Sequence, residues 1–563
     1  MAKKPIQPIW NVKTRVSSIE IESLAELILK SRGLSDDNIA HFLNPSYSDD
    51  LADPFLLPDM SKAVRRLHRA IAAKQKIVIY GDYDIDGITA STLLVDFITT
   101  AGADATVYIP DRFEEGYGLN SDALKLLKKQ NVDLVVSVDC GVTAAKEATL
   151  AKKIGLDLII TDHHEPPKVL PSDALAVVNP KLQSSKYPFS ELAGVGVAFA
   201  LVRAMLTKYP KLLKEGQEKW LLDLVALGTI CDVVPLVGEN RVLASYGLKV
   251  MAKTRREGIK ALAKVSGTNL DLVQESDLGF RFGPRLNAAG RLEHAKAALD
   301  LLLCKDKAVA LELAENLNEL NRQRQEQTQE IFDAANAQAK KQTQNMVLVL
   351  ADPAWSSGIV GIVASKIAEK WSKPTILLQI NDDLAKGSAR SYGDFSIIDA
   401  LRDSSELLEK FGGHAFAAGM TLKTENIDAL RFSLNKYALN NIEIESLLPK
   451  INIDVEINNL SPNLDYAEGI VKLRPHGNEN PQPIISSKLK LIDYRLIGQN
   501  NNHTKFRFMT SNKTIIDAIA FNTTHKWPQL EPNQNYLVAY HLQINVWQNV
   551  SKAQLEIVDI KLS

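Results

Sequence analysis

Cysteine is scarce, with three in 563 residues: Cys140, Cys231 and Cys304, far apart and with no CxxC pair. That spacing excludes a disulfide-built scaffold and a zinc finger, and it fits a reducing compartment. Net charge is almost absent, because 66 Lys and Arg face 67 Asp and Glu. A chain so balanced has no global attraction to nucleic acid or membrane, so any such partner must meet a local patch. Long apolar runs are missing too. No segment approaches the roughly 18 uninterrupted apolar residues of a membrane span, and MAKKPIQPIW has no apolar signal core. The expectation is a soluble, cytoplasmic protein with no membrane partner. Repeats and low-complexity tracts are also absent. What remains is ordinary globular composition, 45% apolar and 24% charged. At about 150 residues per domain the length suggests about four compact units.

Residues 1–45 are mixed and polar, with one helical pattern at 19–31, and read as an N-terminal appendage. From about residue 61 a βα rhythm begins. Helix-like SKAVRRLHRAIAAKQ leads to an apolar run at 76–80 and the turn-rich GDYDIDG; then come a helical stretch at 88–101, ATVYIP, SDALKLLKKQ, DLVVSV, TAAKEATLAKKIG and DLIIT. Strands alternating with helices predict a parallel sheet covered on both faces, with ligands beyond the carboxyl ends of the strands. Residues 306–342 form one helical segment without Gly or Pro, about 50 Å long if continuous and suited to bridging two domains. A second α/β rhythm follows in MVLVLA, GIVGIVASKIAEKW and PTILLQ. After about residue 450, KLKLIDYRLI, KFRFMT, TIIDAIAF, YLVAYHLQINVW and AQLEIVDI alternate as short strands and predict a small all-β barrel.

The strongest local signal is Tyr80-Gly81-Asp82-Tyr83-Asp84-Ile85-Asp86-Gly87, three carboxylates within five residues behind an apolar strand. Their mutual repulsion calls for a positive partner, and a divalent cation is the economical one. Standing alone the cluster would read as an acidic surface turn. It has company: Asp139 follows an apolar strand, Asp162-His163-His164 follows another, and Asp232 closes an apolar helical segment. Singly, Asp139 and Asp232 read as helix caps and either His as a structural histidine. Together they occupy equivalent ends of neighbouring elements, and the strand-end rule predicts that they converge. Carboxylates with one imidazole suit Mg²⁺ or Mn²⁺, and their number predicts two ions sharing a carboxylate, the arrangement that stabilises phosphoryl transfer. Cys140 and Cys231, each beside such a residue, read as packing.

GDYDIDG, VDCG, the Asp162-His163-His164 triplet and the later Asp232 resemble the four motifs of the DHH phosphoesterase superfamily. PDRFEEGYGLN, LAGVGVAF, GPRLNAAGRL, WSSGIVGIVASKIAEKW, GSARS, KFGGHAFAAG and RPHGNENPQP, in that order, narrow the resemblance to the RecJ family of single-strand-specific 5′→3′ exonucleases. It covers the chain from about residue 30 onward. The resemblance implies a DHH catalytic domain at 46–305, a bridging helix at 306–345, a DHHA1 domain at 346–450 and an OB-fold at 451–563. It implies two divalent cations, Mn²⁺ or Mg²⁺. Asp84 would bind one ion; Asp86, His163 and Asp232 the other; Asp139 would bridge, Asp82 would be a ligand or support one, and His164 would contact the scissile phosphate. Two positions depart from the family pattern. Tyr80 stands where some relatives carry a His that would complete the first ion's shell, and Ser356 stands where many carry His.

The resemblance also implies that Arg112, Arg291, Ser388 and Arg390 hold the 5′-terminal phosphate. Guanidinium groups are chemically suited to that task. Arg285 and Asn287 would position Arg291 or touch DNA, Gln325 on the bridging helix would line the strand's path, and His414 in GGH would meet a phosphate. A lone Arg otherwise reads as a surface ion pair, GGH as a turn, and the bridging-helix face as solvated. Residues 485–563 carry nine Lys or Arg against five Asp or Glu, interleaved with Tyr494, Phe506, Phe508, Trp527, Tyr540 and Trp547. Basic grooves with stacking aromatics mark single-strand binding on OB-folds, although most of these rings must be barrel core. The expected partner is single-stranded DNA, with a helicase and a single-strand-binding protein as candidate protein partners and a monomeric state. A small-substrate phosphoesterase acting on short oligonucleotides or cyclic dinucleotides is the alternative, and the bridging helix and basic barrel argue against it. A DNA-binding scaffold without metals is disfavoured because the ligand set is present.

Overall fold

The computed structural model describes residues 8–20, 23–111, 115–116, 118–292, 294–442, 447–523, 526–527, 530–548 and 550–563. The apolar runs of the first half become the strands Ala105–Tyr108, Ile77–Gly81, Leu134–Val138, Asp157–Thr161 and Ala176–Val178, parallel and adjacent in that order. The central strands are buried along nearly their whole length, which is why they read as continuous apolar runs without alternation. Their carboxyl ends share one edge of the sheet. Asp82–Asp86, Asp139 and Asp162 each follow directly from one of those ends.

Two helices matter most for what happens there. Ile85–Thr100 starts at the acidic turn, with Asp84 as its N-cap accepting from the Gly87 N–H at 3.1 Å. Leu222–Cys231 is apolar around its girth apart from Asp223 and Thr229, is buried in the domain, and ends on Asp232. The two pack against each other and against Gly194–Lys208.

The last five strands close into a barrel: Ile485–Ile497, His503–Met509, Ile515–Ala520, Val550–Leu562 and Asn535–Trp547, which pairs back onto Ile485–Ile497. Its core holds Leu489, Leu491, Phe506, Phe508, Val538 and Tyr540. The N-terminal segment, expected as an appendage, is built into this barrel. Strand Ile9–Val16 and strand Lys450–Ile457 extend its sheet, and helix Leu24–Ser31 places Leu24, Ile28 and Leu29 in the same buried cluster. Each such side chain contributes about 1.5–3 kcal/mol.

The chain forms two compact units. Val12–Asn318 and Ile453–Ser563 make one, so the barrel is not a separate body from the parallel-sheet domain; Glu319–Asn452 with residues 8–11 make the other. Arg241 shows how the first unit is joined. It is buried, and its guanidinium donates to the carbonyls of Phe42 (3.0 Å), Leu473 (3.0 Å) and Lys472 (3.1 Å) while stacking on the Phe42 ring. The second unit is a mixed sheet ordered Lys410–Gly413, Ala417–Lys423, Leu384–Arg390, Thr375–Asn381 and Leu348–Asp352, with only the last pair parallel. Helix Lys307–Lys340 runs 34 residues, as its lack of Gly and Pro predicts, about 51 Å at 1.5 Å per residue. Among the described residues no helix is long and apolar enough to cross a membrane.

Candidate metal centre

The acidic turn, the residues after two neighbouring strands and the end of the Leu222–Cys231 helix meet at one place. Oxygen or nitrogen atoms of Asp82, Asp84 and Asp139 lie within 4.8 Å of one another, and so do those of Asp86, His163 and Asp232. His163 sits between the groups. Its Nε2 is 3.1 Å from Asp139 Oδ1, 3.7 Å from Asp232 Oδ2 and 3.9 Å from Asp86 Oδ2, yet makes a hydrogen bond to none of them.

That arrangement is electrostatically unfavourable without a cation. Burial, followed by the nearby Asp84 charge, pushes the Asp86 carboxyl up to about 7. Burial, then Asp86 and Asp84, raise Asp232 to about 9. Asp139 is held well above the usual carboxylate range by burial first and then by Asp86, Asp84 and Asp82. Burial, then the His164 charge, lower His163 to about 4, so its ring is neutral and Nε2 can offer a lone pair. Asp232 also caps the C-terminal, partially negative end of its helix, where an anion is disfavoured. Divalent cations resolve all of these conflicts together, and a set of carboxylates with one neutral imidazole fits Mn²⁺ or Mg²⁺.

Several supporting groups escaped the sequence reading. Asp86 is gripped by the start of helix Gly194–Lys208: the Gly194 N–H donates to Oδ2 at 2.5 Å and the Val195 N–H to Oδ1 at 2.9 Å. Gly194 has to be glycine, because a Cβ there would lie 2.7 Å from Asp139 Cβ and Oδ1; one at Gly228 would lie 2.8 Å from Asp86 Oδ1. The only sequence trace of this packing is the small-residue run LAGVGVAF. Asp162, the first member of the triplet, belongs to none of the groups of three, the third of which joins Asp139, His163 and His164. It accepts from the Val142, His163 and His164 N–H groups at 2.8, 2.7 and 3.0 Å, and bonds His164 Nδ1 at 2.8 Å. Burial alone would lower the His164 pKa; the Asp162 bond and charge outweigh it and raise it. The Asp162 bond at Nδ1 fixes the orientation of the His164 ring.

Tyr80 does not face this centre. Its ring lies in the core on the other face of the sheet, stacked on Tyr108, and its hydroxyl donates to the Gly118 carbonyl at 3.0 Å. The group around Asp84 is closed by Asp82 and not by residue 80.

The expected substrate residues fall into different surroundings. Helix Gly283–Leu292 runs beside the centre, since a Cβ at Gly283 would meet Cys231 Sγ at 2.9 Å and one at Gly290 would meet the Tyr83 carbonyl at 3.1 Å. It carries Asn287 and Arg291, both half-buried. Arg285 is used structurally, donating to Asn318 Oδ1 at 3.0 Å and to the Arg281 carbonyl at 2.7 Å. In the smaller unit, Ser388 and Arg390 alternate onto one face of their strand. A Cβ at Gly361 would approach Ser388 Oγ at 3.3 Å and Arg390 Nη2 at 3.1 Å, so both stand against the first turn of helix Val360–Trp371. Ser356, the second departure, has its carbonyl accepting from the Ile359 and Val360 N–H groups as that helix starts. His414 is exposed in the turn between two strands, with its N–H donating to the Ala417 carbonyl at 2.8 Å. Gln325 is exposed on the long helix, and nearby Arg322 is tied to Glu319 and Glu326, the solvated-face alternative. Arg112 lies outside the described residues. Of the six barrel aromatics named from the sequence, Phe506, Phe508 and Tyr540 are core and Trp527 donates its indole N–H to Asp559, while Tyr494 and Trp547 are exposed.

Comparison with known proteins identifies the family. Residues 76–229 match the N-terminal domain of the DHH family, residues 343–440 the DHHA1 domain and residues 453–559 the RecJ OB domain. The chain is 38% identical to the single-stranded-DNA-specific exonuclease RecJ of Bacillus subtilis, over 98% of this chain and 70% of that one. It is also 38% identical to its counterpart from Haemophilus influenzae, over 90% and 91%. The crystal structure of Thermus thermophilus RecJ with Mn²⁺ superposes with a TM-score of 0.81 at 28% identity, covering 99% of this chain and 80% of the other. An arrangement of DHH, DHHA1 and RecJ OB domains in one chain, with full-length relatives above the level at which fold and family are shared, makes this protein a member of the RecJ family of single-stranded-DNA-specific exonucleases.

Proposed function

We propose that the chain is a metal-dependent exonuclease that degrades single-stranded DNA from its 5′ end to mononucleotides, in DNA repair and recombination. The observation that carries this reading is the neutral His163 Nε2 set among carboxylates of Asp86, Asp139 and Asp232 at 3.1–3.9 Å. Two divalent cations, when bound, supply charge stabilisation to the phosphoryl transition state and lower the pKa of the attacking water. In this reading Asp82 and Asp84 hold one ion, Asp86, His163 and Asp232 hold the other, and Asp139 is shared; its place beside His163 supports that role. The Gly194 and Val195 N–H groups orient Asp86 and favour its ionised form against burial and the Asp84 charge. His164, its Nδ1–H fixed by Asp162, presents Nε2 to the scissile phosphate, where a proton stabilises developing charge.

Ser388 and Arg390 beside a helix N-terminus form an anion cradle suited to the 5′-terminal phosphate. Arg291 and Asn287 are placed to steady the strand near the centre, and Arg112, His414 and Gln325 are added on the family resemblance. Recognition of the terminal phosphate favours attack from the 5′ end. On the barrel, Tyr494, Phe521 and Trp547 are exposed rings available for stacking among the excess of basic residues. The reading includes a monomer acting in the cytoplasm, with a helicase and a single-strand-binding protein as candidate partners, and domain limits at 46–305, 306–345, 346–450 and 451–563.

Digestion of end-labelled strands tests it. Labelled mononucleotide should appear first from 5′-labelled single strands, with duplex resistant, in Mn²⁺ or Mg²⁺, and chelation should stop it. Equal release from 3′-labelled ends, or faster turnover of a dinucleotide than of a long strand, would overturn it.

A further inference from the structure

A second cavity, of about 390 Å³, opens away from the metal centre in the same unit. It is bounded by the last turn of helix Ile85–Thr100, the segment around Trp220, the start of helix Glu257–Ser266 and the end of helix Lys296–Leu303. Asp96 lies ten residues beyond Asp86 on one helix and Asp223 nine residues before Asp232 at the end of another, so about 15 Å of helix separates the cavity from the centre.

The lining's three carboxylates, Asp96, Asp223 and Glu257, and three cations, Arg255, Arg256 and Lys305, sum to zero, so what counts is which of them are already paired. Arg256 is consumed by Asp96 and Asp223, which also accepts from Thr254, and Glu257 is paired with Lys260. Arg255 and Lys305 are left. Neither has an ion pair or hydrogen bond among the described residues, and the Arg255 guanidinium lies 3.7 Å over the Trp220 ring. The lining also includes the buried side chains of Phe97, Leu221 and Leu302, while Thr100 and Gln217 offer a hydroxyl and an amide. Two unspent cations favour a small anion. An apolar wall with a few hydrogen-bonding groups favours a flat organic body attached to it, and the volume is at the small end of ligand pockets.

We propose that this cavity binds a nucleoside 5′-monophosphate, its phosphate held by Arg255 and Lys305 and its base against Trp220. The choice of a mononucleotide rests on the exonuclease reading, which makes this molecule at every turnover; the existence of an anion site does not.

Calorimetric titration of the full chain in chelator with thymidine 5′-monophosphate, thymidine and inorganic phosphate tests this without involving catalysis. The monophosphate should bind saturably and at least about tenfold more tightly than either fragment. Arg255→Gln and Lys305→Gln should each weaken it about tenfold, while Mn²⁺ affinity and basal nuclease activity stay unchanged and Asp139→Asn leaves nucleotide binding intact. Absence of saturable binding, indifference to both substitutions, or loss of binding in Asp139→Asn would overturn the site. Phosphate binding as tightly as the nucleotide would overturn the nucleotide assignment.

Discussion

Gly194 stands directly against Asp139 while its own N–H holds Asp86: a Cβ at residue 194 would lie 2.7 Å from Asp139 Cβ, and the N–H reaches Asp86 Oδ2 at 2.5 Å. One backbone position thus sets the spacing of two carboxylates contributed by different strand ends. Gly194→Ala should therefore reduce turnover by about 100-fold or more, the scale expected when a catalytic constellation shifts by about 1 Å. Mn²⁺ affinity should fall with it, while thermal unfolding changes little. Parental activity in Gly194→Ala would show that Asp139 can retreat at no cost.

Asp162 acts through His164. Replacing it with Asn keeps the size of the side chain but removes the anion that fixes the Nδ1–H tautomer. A kcat loss of about 10–100-fold with nearly unchanged KM is expected, as for other groups that orient an active-site imidazole. If KM rises while kcat holds, Asp162 serves strand binding instead.

Arg390→Ala removes the guanidinium from the anion cradle of the smaller unit. The expected result is a loss of preference for 5′-phosphorylated over 5′-blocked strands, by roughly tenfold or more, with hydrolysis of internal linkages otherwise normal. Competition assays with the two kinds of end measure it directly. A preference equal to that of the parent would remove Arg390 from the cradle.

His476 provides a pH test away from the metal centre. Burial, then the charges of Arg474, Arg32 and Arg241, hold its pKa down to about 3, and its Nδ1 has no hydrogen-bond partner. The unfolded chain takes up a proton near pH 6.5 that the folded chain refuses until about pH 3. Stability from this residue is therefore complete above pH 6.5 and declines as pH falls toward 3, at up to about 1.4 kcal/mol per pH unit. His476→Phe, which sacrifices no hydrogen bond at Nδ1, should flatten that slope. Urea midpoints at pH 5 and 7.5 that remain as far apart as in the parent would sink the assignment.

Much of this architecture was legible. The continuous apolar runs ending in Asp or His announced buried parallel strands with a ligand site at their tips, and the five alternating segments after residue 450 announced the barrel, because burial imposes those periodicities directly. The convergence of Asp84, Asp139 and His163 follows from strand polarity, while Asp232 reaches them from the end of a helix. What stayed hidden depends on contacts distant in sequence. Strand Ile9–Val16 is short and its pattern has no meaning until Lys450–Ile457 is beside it. Tyr80 could be weighed as a missing ligand only by position; the alternation of its strand, which turns it toward Tyr108 and Gly118, decides the matter. Asp162 lay in plain sight within the triplet, yet nothing in its spacing distinguishes a residue that orients an imidazole from one that binds metal.

Arg241 carries a final consequence. Its guanidinium is closed on by carbonyls from Phe42, Leu473 and Lys472, which pins the root of the barrel to the catalytic sheet. Such a joint has no hinge in it. A strand gripped on the barrel would be fed to the scissile position across a constant gap, like stock held in a fixed vice, so the shortest substrate that gains from the barrel should have a sharp length threshold. A flexible tether would blur that threshold over many nucleotides.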